Sequence, residues 1–236
     1  MNHFTRLPAG GAVPRPGRPY AVSAGMKKIS ESAVRRLSLY LRFLQEAEGA
    51  GAETISSEEL ARRGGTTSAQ VRKDLSLFGS FGKRGTGYSV RELLREIRSI
   101  LGLTRTWKVA VVGAGRLGSA LSSYRDFQAR GFEIRAVFDA DPRKIGQDWG
   151  GVRVQPDEEM DRTLREERVD IAIVAVPADA AQGVVDRAVQ AGVRAILNFA
   201  PVRLRVPGGV TLRNVDVTLE LEGLSFALAN GKPAPA

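Results

Sequence analysis

The chain contains no cysteine and only one histidine, His3, among its 236 residues. The lack of thiols excludes disulfides, cysteine nucleophiles and thiol-based redox sensing, and it is typical of a reducing compartment. A single histidine removes most metal sites and acid–base pairs as well. No apolar run approaches the roughly 18–20 residues that a membrane span needs, and there is no apolar signal core. We therefore expect a cytoplasmic protein with no metal site and no membrane partner.

Acidic residues are scarce only in the first part of the chain. Residues 1–26 contain three arginines and no acid, residues 27–105 contain 15 basic and nine acidic residues, and residues 106–236 contain 17 of each. The whole excess of +9 therefore lies within the first 105 residues. Such an excess attracts polyanions. We predict a basic N-terminal part and a C-terminal part of balanced charge.

Composition and periodicity divide the chain further. Residues 1–26 are rich in Pro and Gly and predict a flexible tail. Beyond them we predict a DNA-binding domain at 27–104, a nucleotide-binding domain at 105–216, and a C-terminal helix and tail at 217–236. Because the connection at 103–106 is short, we expect the angle between the two domains to be controlled.

Three helices are predicted in the basic part. One begins after Ser30 with Val34, Leu37, Leu41 and Leu44 at helical spacing, a short one begins near Ser56 and ends at Gly64-Gly65, and one begins at 66–68. The inward stripe of the third helix is predicted to be Val71, Leu75 and Phe78, and its outward residues to be Gln70, Arg72, Lys73, Asp74 and Ser76. A short helix, a glycine turn and a polar, basic helix are typical of a helix–turn–helix.

Residues 79–88 predict a hairpin, because four glycines flank the adjacent cations Lys83 and Arg84. The complete pattern is that of a winged helix whose third helix enters the major groove of duplex DNA. Arg35 and Arg36 are predicted to add phosphate contacts. A charged helix face can also be merely solvated, but turn chemistry, the basic hairpin and regional charge together favour DNA binding. A further helix at 89–102 closes this domain.

The balanced part opens with a dinucleotide-binding pattern. A β-branched run at 107–112 leads into Gly113-Ala114-Gly115-Arg116-Leu117-Gly118, and a second strand at 134–138 ends in Asp139, 21 residues after Gly118. In this pattern Gly113 permits the tight turn, Gly115 the approach of a pyrophosphate and Gly118 close helix packing, while the acid binds a ribose hydroxyl. Asp139 favours NAD(H) over NADP(H), and the nearby cations Arg143 and Lys144 soften that preference. Arg116 faces either phosphate or solvent.

Alternating strands and helices extend the pattern. Strands at 169–176 and 193–197 alternate with helices at 157–167 and 178–191, which predicts an α/β fold with a Rossmann-like, doubly wound parallel sheet. Ligands bind at the carboxyl ends of such strands. The residues there are candidates for the nicotinamide half of the site, with ordinary strand-end packing an equal alternative: Ala175, Val176, Pro177, Asn198 and Phe199.

The C-terminal helix carries Val217, Leu221, Leu224 and Leu228 at helical spacing after a strand at 210–215. Such an apolar face needs a partner, which is either the chain's own sheet or another protomer.

A DNA-reading module joined to a dinucleotide module predicts a sensor whose nucleotide is an effector. Hydride-transfer enzymes commonly use a His, Lys or Tyr beside the nicotinamide, and residues 106–236 contain no His and only one Tyr. Two alternatives remain open. One is an NAD-dependent dehydrogenase with a basic accessory domain, and the other is a DNA-binding protein whose effector is coenzyme A or another nucleotide.

Four stretches of the sequence carry a specific family resemblance. They are Arg36-Leu37-Ser38-Leu39-Tyr40-Leu41-Arg42; Gln70-Val71-Arg72-Lys73-Asp74-Leu75-Ser76 with Arg84-Gly85-Thr86-Gly87-Tyr88; the glycine-rich segment 112–121; and Ile196-Leu197-Asn198-Phe199-Ala200-Pro201 with Asn214-Val215-Asp216. On these motifs the chain resembles the Rex family of bacterial redox-sensing transcriptional repressors over roughly 28–229.

The resemblance implies a homodimer with a swapped C-terminal helix, bound to palindromic operator DNA in the NAD+ or free state and released by NADH. It implies DNA contacts at Arg72, Lys73, Arg84 and Gly85. It also implies that Tyr124 pairs with Asp216 of the other subunit near the nicotinamide. The chain departs from the family pattern at Val217, where many relatives have Phe or Leu.

Overall fold

The computed structural model describes residues 29–79 and 87–231. The chain divides into two compact units after Leu94, within a helix. Each unit has its own core, and each is described by itself.

The first unit begins with three capped helices. They are α1 (Glu31–Gly49), α2 (Ser57–Arg63) and α3 (Ser68–Ser76), followed by the start of α4 (Val90–Ile100). The side chains of Ser30, Ser56 and Thr67 each accept a hydrogen bond from a backbone N–H three residues on, which satisfies donors that the first turn leaves unpaired. The helix starts at Ser30 and Ser56 are as predicted, and Thr67 is the cap among the three candidates.

Two strands complete this unit as far as it is described. Strand β1 (Thr54–Ile55) pairs antiparallel with β2 (Tyr88–Ser89). Gly87, with φ of +80°, passes so close to the carbonyl of Ile55 that a Cβ atom could not be accommodated. The tip of the predicted hairpin, with Lys83, Arg84 and Gly85, lies outside the described residues.

The core of the first unit corrects two sequence predictions. Val34 is 40% exposed, and the buried stripe of α1 instead runs through Ala33, Leu37, Tyr40, Leu41 and Leu44. Asp74, predicted to face outward, is buried, with 1% of its surface exposed. The apolar periodicity of α3 could not reveal this, because the partners of Asp74 lie on α1, more than 30 residues away in sequence.

The second unit is built on a seven-stranded sheet in the order β5-β6-β4-β3-β7-β8-β9. All neighbouring pairs are parallel except β5 with β6. The strands are β3 (Trp107–Val112), β4 (Phe132–Asp139), β5 (Asp148–Trp149), β6 (Val152–Pro156), β7 (Ile171–Val174), β8 (Ala195–Asn198) and β9 (Thr211–Asn214). The chain builds outward from β3 to β6 and then returns to the other side of β3 with β7. This reversal is a topological switch point, where open α/β sheets bind ligands.

Helices α5 (Arg116–Ser122), α6 (Arg125–Ala129), α7 (Met160–Glu166) and α8 (Ala178–Gln190) pack on the sheet, with a 3-10 turn at Asp157–Glu159. The last helix, α9 (Val217–Ala229), follows β9 and contains no buried residue. Alternate residues of β3 enter different cores: Ala110 and Val112 pack with residues of α7 and α8, and Val109 and Val111 with Leu121 and Phe127. This arrangement confirms the predicted α/β class with a Rossmann-like sheet.

Some elements differ from their predicted bounds. The helix predicted at 157–167 begins as the 3-10 turn before α7, and the short strands β5 and β6 at the sheet edge were not predicted. Within the described residues, no helix combines the length and apolarity needed to cross a bilayer.

Candidate functional site: a nucleotide cleft and a cationic helix

The glycine-rich loop after β3 is held by close backbone approaches. Gly113 has φ of +101°, and a Cβ atom there would collide with the carbonyl oxygen of Ala175. A Cβ atom on Gly118 would collide with the carbonyl oxygen of Gly113, so α5 packs directly on the loop. Gly115 differs, because nothing lies within 4 Å of its Cβ position. Two glycines are therefore required by the fold, and the third leaves space in front of the loop.

That space belongs to a cleft of about 740 Å³ at the switch point, which we call the switch-point cleft. Its lining comes from the carboxyl ends of β3, β4 and β7 and from α8: Val112, Gly113, Gly115, Asp139, Ala140, Asp141, Lys144, Asp157, Ala175, Val176, Pro177, Ala180 and Val184. Its volume lies within the range of about 300–1,000 Å³ common for cofactor sites. An extended dinucleotide fits this open, glycine-lined shape.

Asp139, the residue predicted to bind a ribose hydroxyl, lines this cleft. Its carboxylate accepts hydrogen bonds from the backbone N–H groups of Ala114, at 2.6 Å, and Asp141, at 2.8 Å. The Lys144 ammonium group lies 3.0 Å from the same carboxylate. Each carboxylate oxygen accepts more than one hydrogen bond, so Asp139 can also accept a ribose hydroxyl. The pairing with Lys144 reduces the negative charge that would repel a 2′-phosphate.

Two further charges lie beside this pair. Arg143, 87% exposed, pairs with Asp141 at 2.8 Å. Hydrogen bonds from the side chain and backbone of Arg143 lower the pKa of Asp141 to about 2. The part of the cleft around Asp139 therefore carries balanced charges of both signs.

The predicted nicotinamide residues fall into two groups. Ala175, Val176 and Pro177 line the switch-point cleft. Asn198 is 1% exposed, and its amide is used within the protein: it donates to the carbonyls of Ala200 and Val202 and to Asn214 Oδ1, and it accepts from the N–H of Ala200. Asn198 thus shapes the loop after β8 and joins it to the end of β9. The neighbouring Phe199 is half-buried and packs against the core on the α5 side of the sheet.

Tyr124 and Asp216 lie at the surface of their unit. Tyr124 is 53% exposed, stacks edge-on against Phe127 and donates a hydrogen bond to Asp126 at 3.3 Å. Asp216 caps α9 by accepting from the N–H of Thr218. Arg116 and Leu117, in the first turn of α5, are also exposed. All these side chains remain accessible to a ligand or to a second chain.

Four of the nine predicted DNA contacts lie on α3, and three of them, Arg72, Lys73 and Ser76, are exposed. Lys73 and Ser76 are exposed, and the Ser76 hydroxyl donates to the carbonyl of Lys73. Arg72 is 54% exposed and lies 2.9 Å from the Ser57 hydroxyl of α2. Arg35, on α1, is exposed as well. The described part of the first unit therefore presents cations on the helix that reads the major groove in helix–turn–helix proteins.

Arg36 and Gln70 are bound to a buried partner that the sequence did not indicate. Arg36 makes two hydrogen bonds to the Asp74 carboxylate, at 2.6 and 2.7 Å, and Gln70 donates to it at 2.8 Å. The Tyr40 hydroxyl adds a bond at 3.1 Å. Burial alone would raise the pKa of Asp74, but these donors outweigh burial and lower it. Burial and the neighbouring carboxylate raise the pKa of Tyr40.

Comparison with known proteins shows that both units have relatives. A model described as "Putative DNA-binding protein N-terminus" matches residues 28–76, and one described as "CoA binding domain" matches 104–202. The redox-sensing transcriptional repressor Rex of Roseiflexus sp. is 50% identical over 86% of this chain and 93% of its own length. That of Carboxydothermus hydrogenoformans is 52% identical over 84% of this chain and 96% of its own length.

A solved structure also matches over both units. The structure of RSP, described as a Rex-family repressor, in complex with β-NAD+ and operator DNA is 38% identical over 87% of this chain and 94% of RSP, with a TM-score of 0.83.

Proposed function

Because the chain belongs to the Rex family of redox-sensing transcriptional repressors, we propose that it binds operator DNA through α3 and releases it when NADH occupies the switch-point cleft. The observation that carries this proposal is the match to the RSP complex, which covers 87% of this chain and therefore includes residues of both units. The chain acts as a regulator and not as an enzyme, in keeping with relatives that are named repressors. It works where its operator lies, in the cytoplasm.

NAD+ and NADH are the effectors. RSP has been solved with each of them, and this chain is 37–38% identical to RSP in those complexes. The cleft supports a dinucleotide, because Gly115 leaves room for a pyrophosphate and Asp139 retains acceptor capacity for a ribose hydroxyl. The family model named for coenzyme A covers the same residues. Coenzyme A is therefore tested beside NADH and NAD+ in the binding experiment.

The sensing contact must respond to what differs between the two effectors, namely one positive charge and the planarity of the nicotinamide ring. A ligand shifts an equilibrium only by its differential affinity for the two states. The proposed contact joins Tyr124 of one subunit with Asp216 of the other, and the Asp216 carboxylate favours the cationic ring. Both side chains are exposed here, which leaves them able to meet.

The proposed homodimer is supported by α9. This helix contains no buried residue, and its large apolar side chains are 53–83% exposed: Val217, Leu219, Leu221, Leu224, Phe226 and Leu228. Val217, Leu221, Leu224 and Leu228 share one face of this helix, and Leu219 and Phe226 lie on the opposite face. A helix that is apolar on both faces is typical of a buried position. Ile171, Leu197 and Phe199 on the sheet are themselves only half-buried. A second copy that exchanges α9 would cover both surfaces and would present two α3 helices to a palindromic operator.

The central experiment measures binding to a palindromic operator by fluorescence anisotropy at fixed salt, because phosphate contacts make affinity salt-dependent. NADH, NAD+ and coenzyme A are titrated separately. We expect NADH to weaken operator binding by about 5- to 150-fold, the usual range of allosteric coupling, and NAD+ to leave it intact. Release by coenzyme A alone would show that coenzyme A, and not NADH, is the effector. Release by none of the three ligands would refute the proposal that the protein is a nucleotide sensor.

Two substitutions test which residue binds the operator and which residue distinguishes NADH from NAD+. Because the dimer carries two copies of Lys73, Lys73→Ala should weaken operator binding and reduce the slope of log K against log salt by about 2, with NADH affinity unchanged. Asp216→Asn should change the ratio of NADH to NAD+ affinity. An unchanged operator affinity in the first variant, or an unchanged ratio in the second, would contradict the role assigned to that residue.

The role of α9 is tested by sedimentation. Leu221→Glu places a charge in the apolar face and should convert dimer into monomer, whereas Glu222→Gln on the same helix should leave the dimer intact. A stable dimer in Leu221→Glu would show that another surface holds the two copies together.

A further inference from the structure

We infer that the buried Asp74 fixes the side-chain amide of Gln70 in one orientation, and that Gln70 thereby reads an adenine in each operator half-site. This inference rests on the proposed function, since it requires α3 to be the reading helix. It assigns a base preference to one residue and an orienting role to another.

The hydrogen bonds around Asp74 determine which end of the Gln70 amide faces inward. The carboxylate accepts hydrogen bonds only, and Arg36, Tyr40 and Gln70 all donate to it. The pKa of Asp74 lies below its ordinary value, so the group is ionised at neutral pH. Reversing the amide would place Gln70 Oε1 against this anion. The nitrogen therefore faces Asp74, at 2.8 Å, and Oε1 faces away.

One N–H of the amide remains available in this orientation. The Gln70 nitrogen carries two hydrogens, and electrostatic repulsion between Oε1 and the carboxylate favours donation to Asp74 by the hydrogen farther from Oε1. The other hydrogen then lies on the same edge as Oε1. Gln70 is only half-buried, and its neighbour along α3, Lys73, is exposed. The chain thus presents one acceptor and one donor side by side.

This pair matches one base better than the others. Adenine offers a donor at N6 and an acceptor at N7 in the major groove, and a glutamine amide bonds to both. Guanine offers two acceptors there, O6 and N7, which call for two donors. Gln70 has only one N–H left after its bond to Asp74, so guanine cannot be bound in the same way.

The experiment selects palindromic duplexes from a random library with the full-length dimer and then measures affinities for all single-base changes. For the unmodified chain we expect a defined half-site, and for Gln70→Ala we expect the preference to relax at one A·T pair per half-site. The loss of preference should be about fivefold or more, since a bidentate pair contributes at least about 1 kcal/mol of discrimination.

Asp74→Asn tests the orienting role, because asparagine allows the Gln70 amide to reverse. We expect relaxation at the same A·T pair while the other positions keep their preferences. Tyr40→Phe is the matched control: it removes one donor to Asp74 without touching Gln70 and should retain the adenine preference. A uniform loss of affinity at every position in Asp74→Asn would show that Asp74 is merely structural, and the orienting role would be overturned.

The outcomes separate this inference from the proposed function. If the unmodified chain selects no duplex at all, the proposed DNA-binding function fails. If it selects an operator but Gln70→Ala relaxes a G·C pair or no pair, only the adenine reading is overturned. Should Asp74→Asn fail to fold, Gln70→Ala alone decides the adenine assignment.

Discussion

Two carboxylates, one in each unit, are held in opposite ways. Asp74 accepts all its described hydrogen bonds from side chains, two of which belong to α1. Asp139 accepts from two backbone N–H groups of nearby loops and from one side chain, Lys144. The first carboxylate therefore depends on distant residues being present and correctly ionised. The second is held mainly by the path of the chain itself.

Because of this difference, we expect different substitutions to damage the two sites. The nucleotide cleft depends on backbone geometry, so added atoms at glycines should damage it more than lost side-chain contacts. The DNA-binding unit depends on a buried cluster of side chains, so substitutions and acid should damage it.

The largest effect is expected for Gly113→Ala. A residue with φ of +101° would be strained, which costs about 1–3 kcal/mol, and the collision with the Ala175 carbonyl adds to this. We expect the free energy of unfolding of the second unit to fall by about 3 kcal/mol or more. Chemical denaturation measures this free energy. Gly115→Ala is the control: its stability should change by less than about 0.5 kcal/mol, while calorimetry shows weaker NADH binding.

The next largest effect is a loss of stability when either carboxylate, that of Asp74 or that of Asp139, is removed. Asp74→Ala should destabilise the first unit by about 2–3 kcal/mol, less than the roughly 3–5 kcal/mol of fully buried pairs because Arg36 keeps 25% of its side chain exposed. Asp139→Ala should cost the second unit only about 1 kcal/mol, since the freed N–H groups lie beside an open cleft. Hydrogen exchange measures the stability of each unit in the two variants. Equal losses of stability would contradict the proposed difference between the two carboxylates.

A smaller effect is expected at Lys144. Lys144→Met removes the cation beside Asp139 and should weaken NADPH binding by about two- to fivefold more than NADH binding, the magnitude of a partly exposed ion pair. Competition binding measures the two affinities. Arg143→Gln serves as the control, because Arg143 is 87% exposed and pairs with Asp141. Equal losses for both nucleotides would show that Lys144 does not act on the 2′ position.

The smallest effect concerns acid. The pKa of Asp74 in the folded chain lies below its ordinary value of 3.8. As the pH falls, the Asp74 carboxylate is therefore protonated in the unfolded chain before it is protonated in the folded chain. The stability that Asp74 contributes is therefore present above pH 3.8 and is lost as pH falls through the folded-state pKa. Urea denaturation of the first unit between pH 5 and about 2 measures this. Asp74→Asn should flatten the profile in that interval, and an unchanged slope would contradict the assignment.

The sequence predicted the local features of both sites well. Helix caps at Ser30 and Ser56, the glycine-rich loop and the acid at the end of β4 each depend on residues within one short segment of the chain. Such segments have turn chemistry and periodicity that can be read directly. Ala175, Val176 and Pro177 could be placed at the cleft because parallel strands end at one edge of the sheet.

Two features that the sequence did not reveal join elements that are distant along the chain. Asp74 was predicted to face outward, and only the packing of α1 against α3 buries it. Asn198 was a candidate with strand-end packing as an equal alternative, and its amide joins β8 to β9 through Asn214. The spacing of Asp74 indicates Gln70, four residues before it, but not Arg36 or Tyr40 on α1.

The sequence by itself determined the two kinds of unit, the glycine-rich loop after β3 and the helix that carries exposed cations, because hydrophobic periodicity and turn chemistry are local properties. The tertiary structure decided which polar side chains are used internally and which remain available. Hydrogen bonds between side chains depend on distances that arise only when separate helices and strands pack. For this reason the partners of Asp74 on α1 and the bond from Asn198 to Asn214 were visible only in the folded chain.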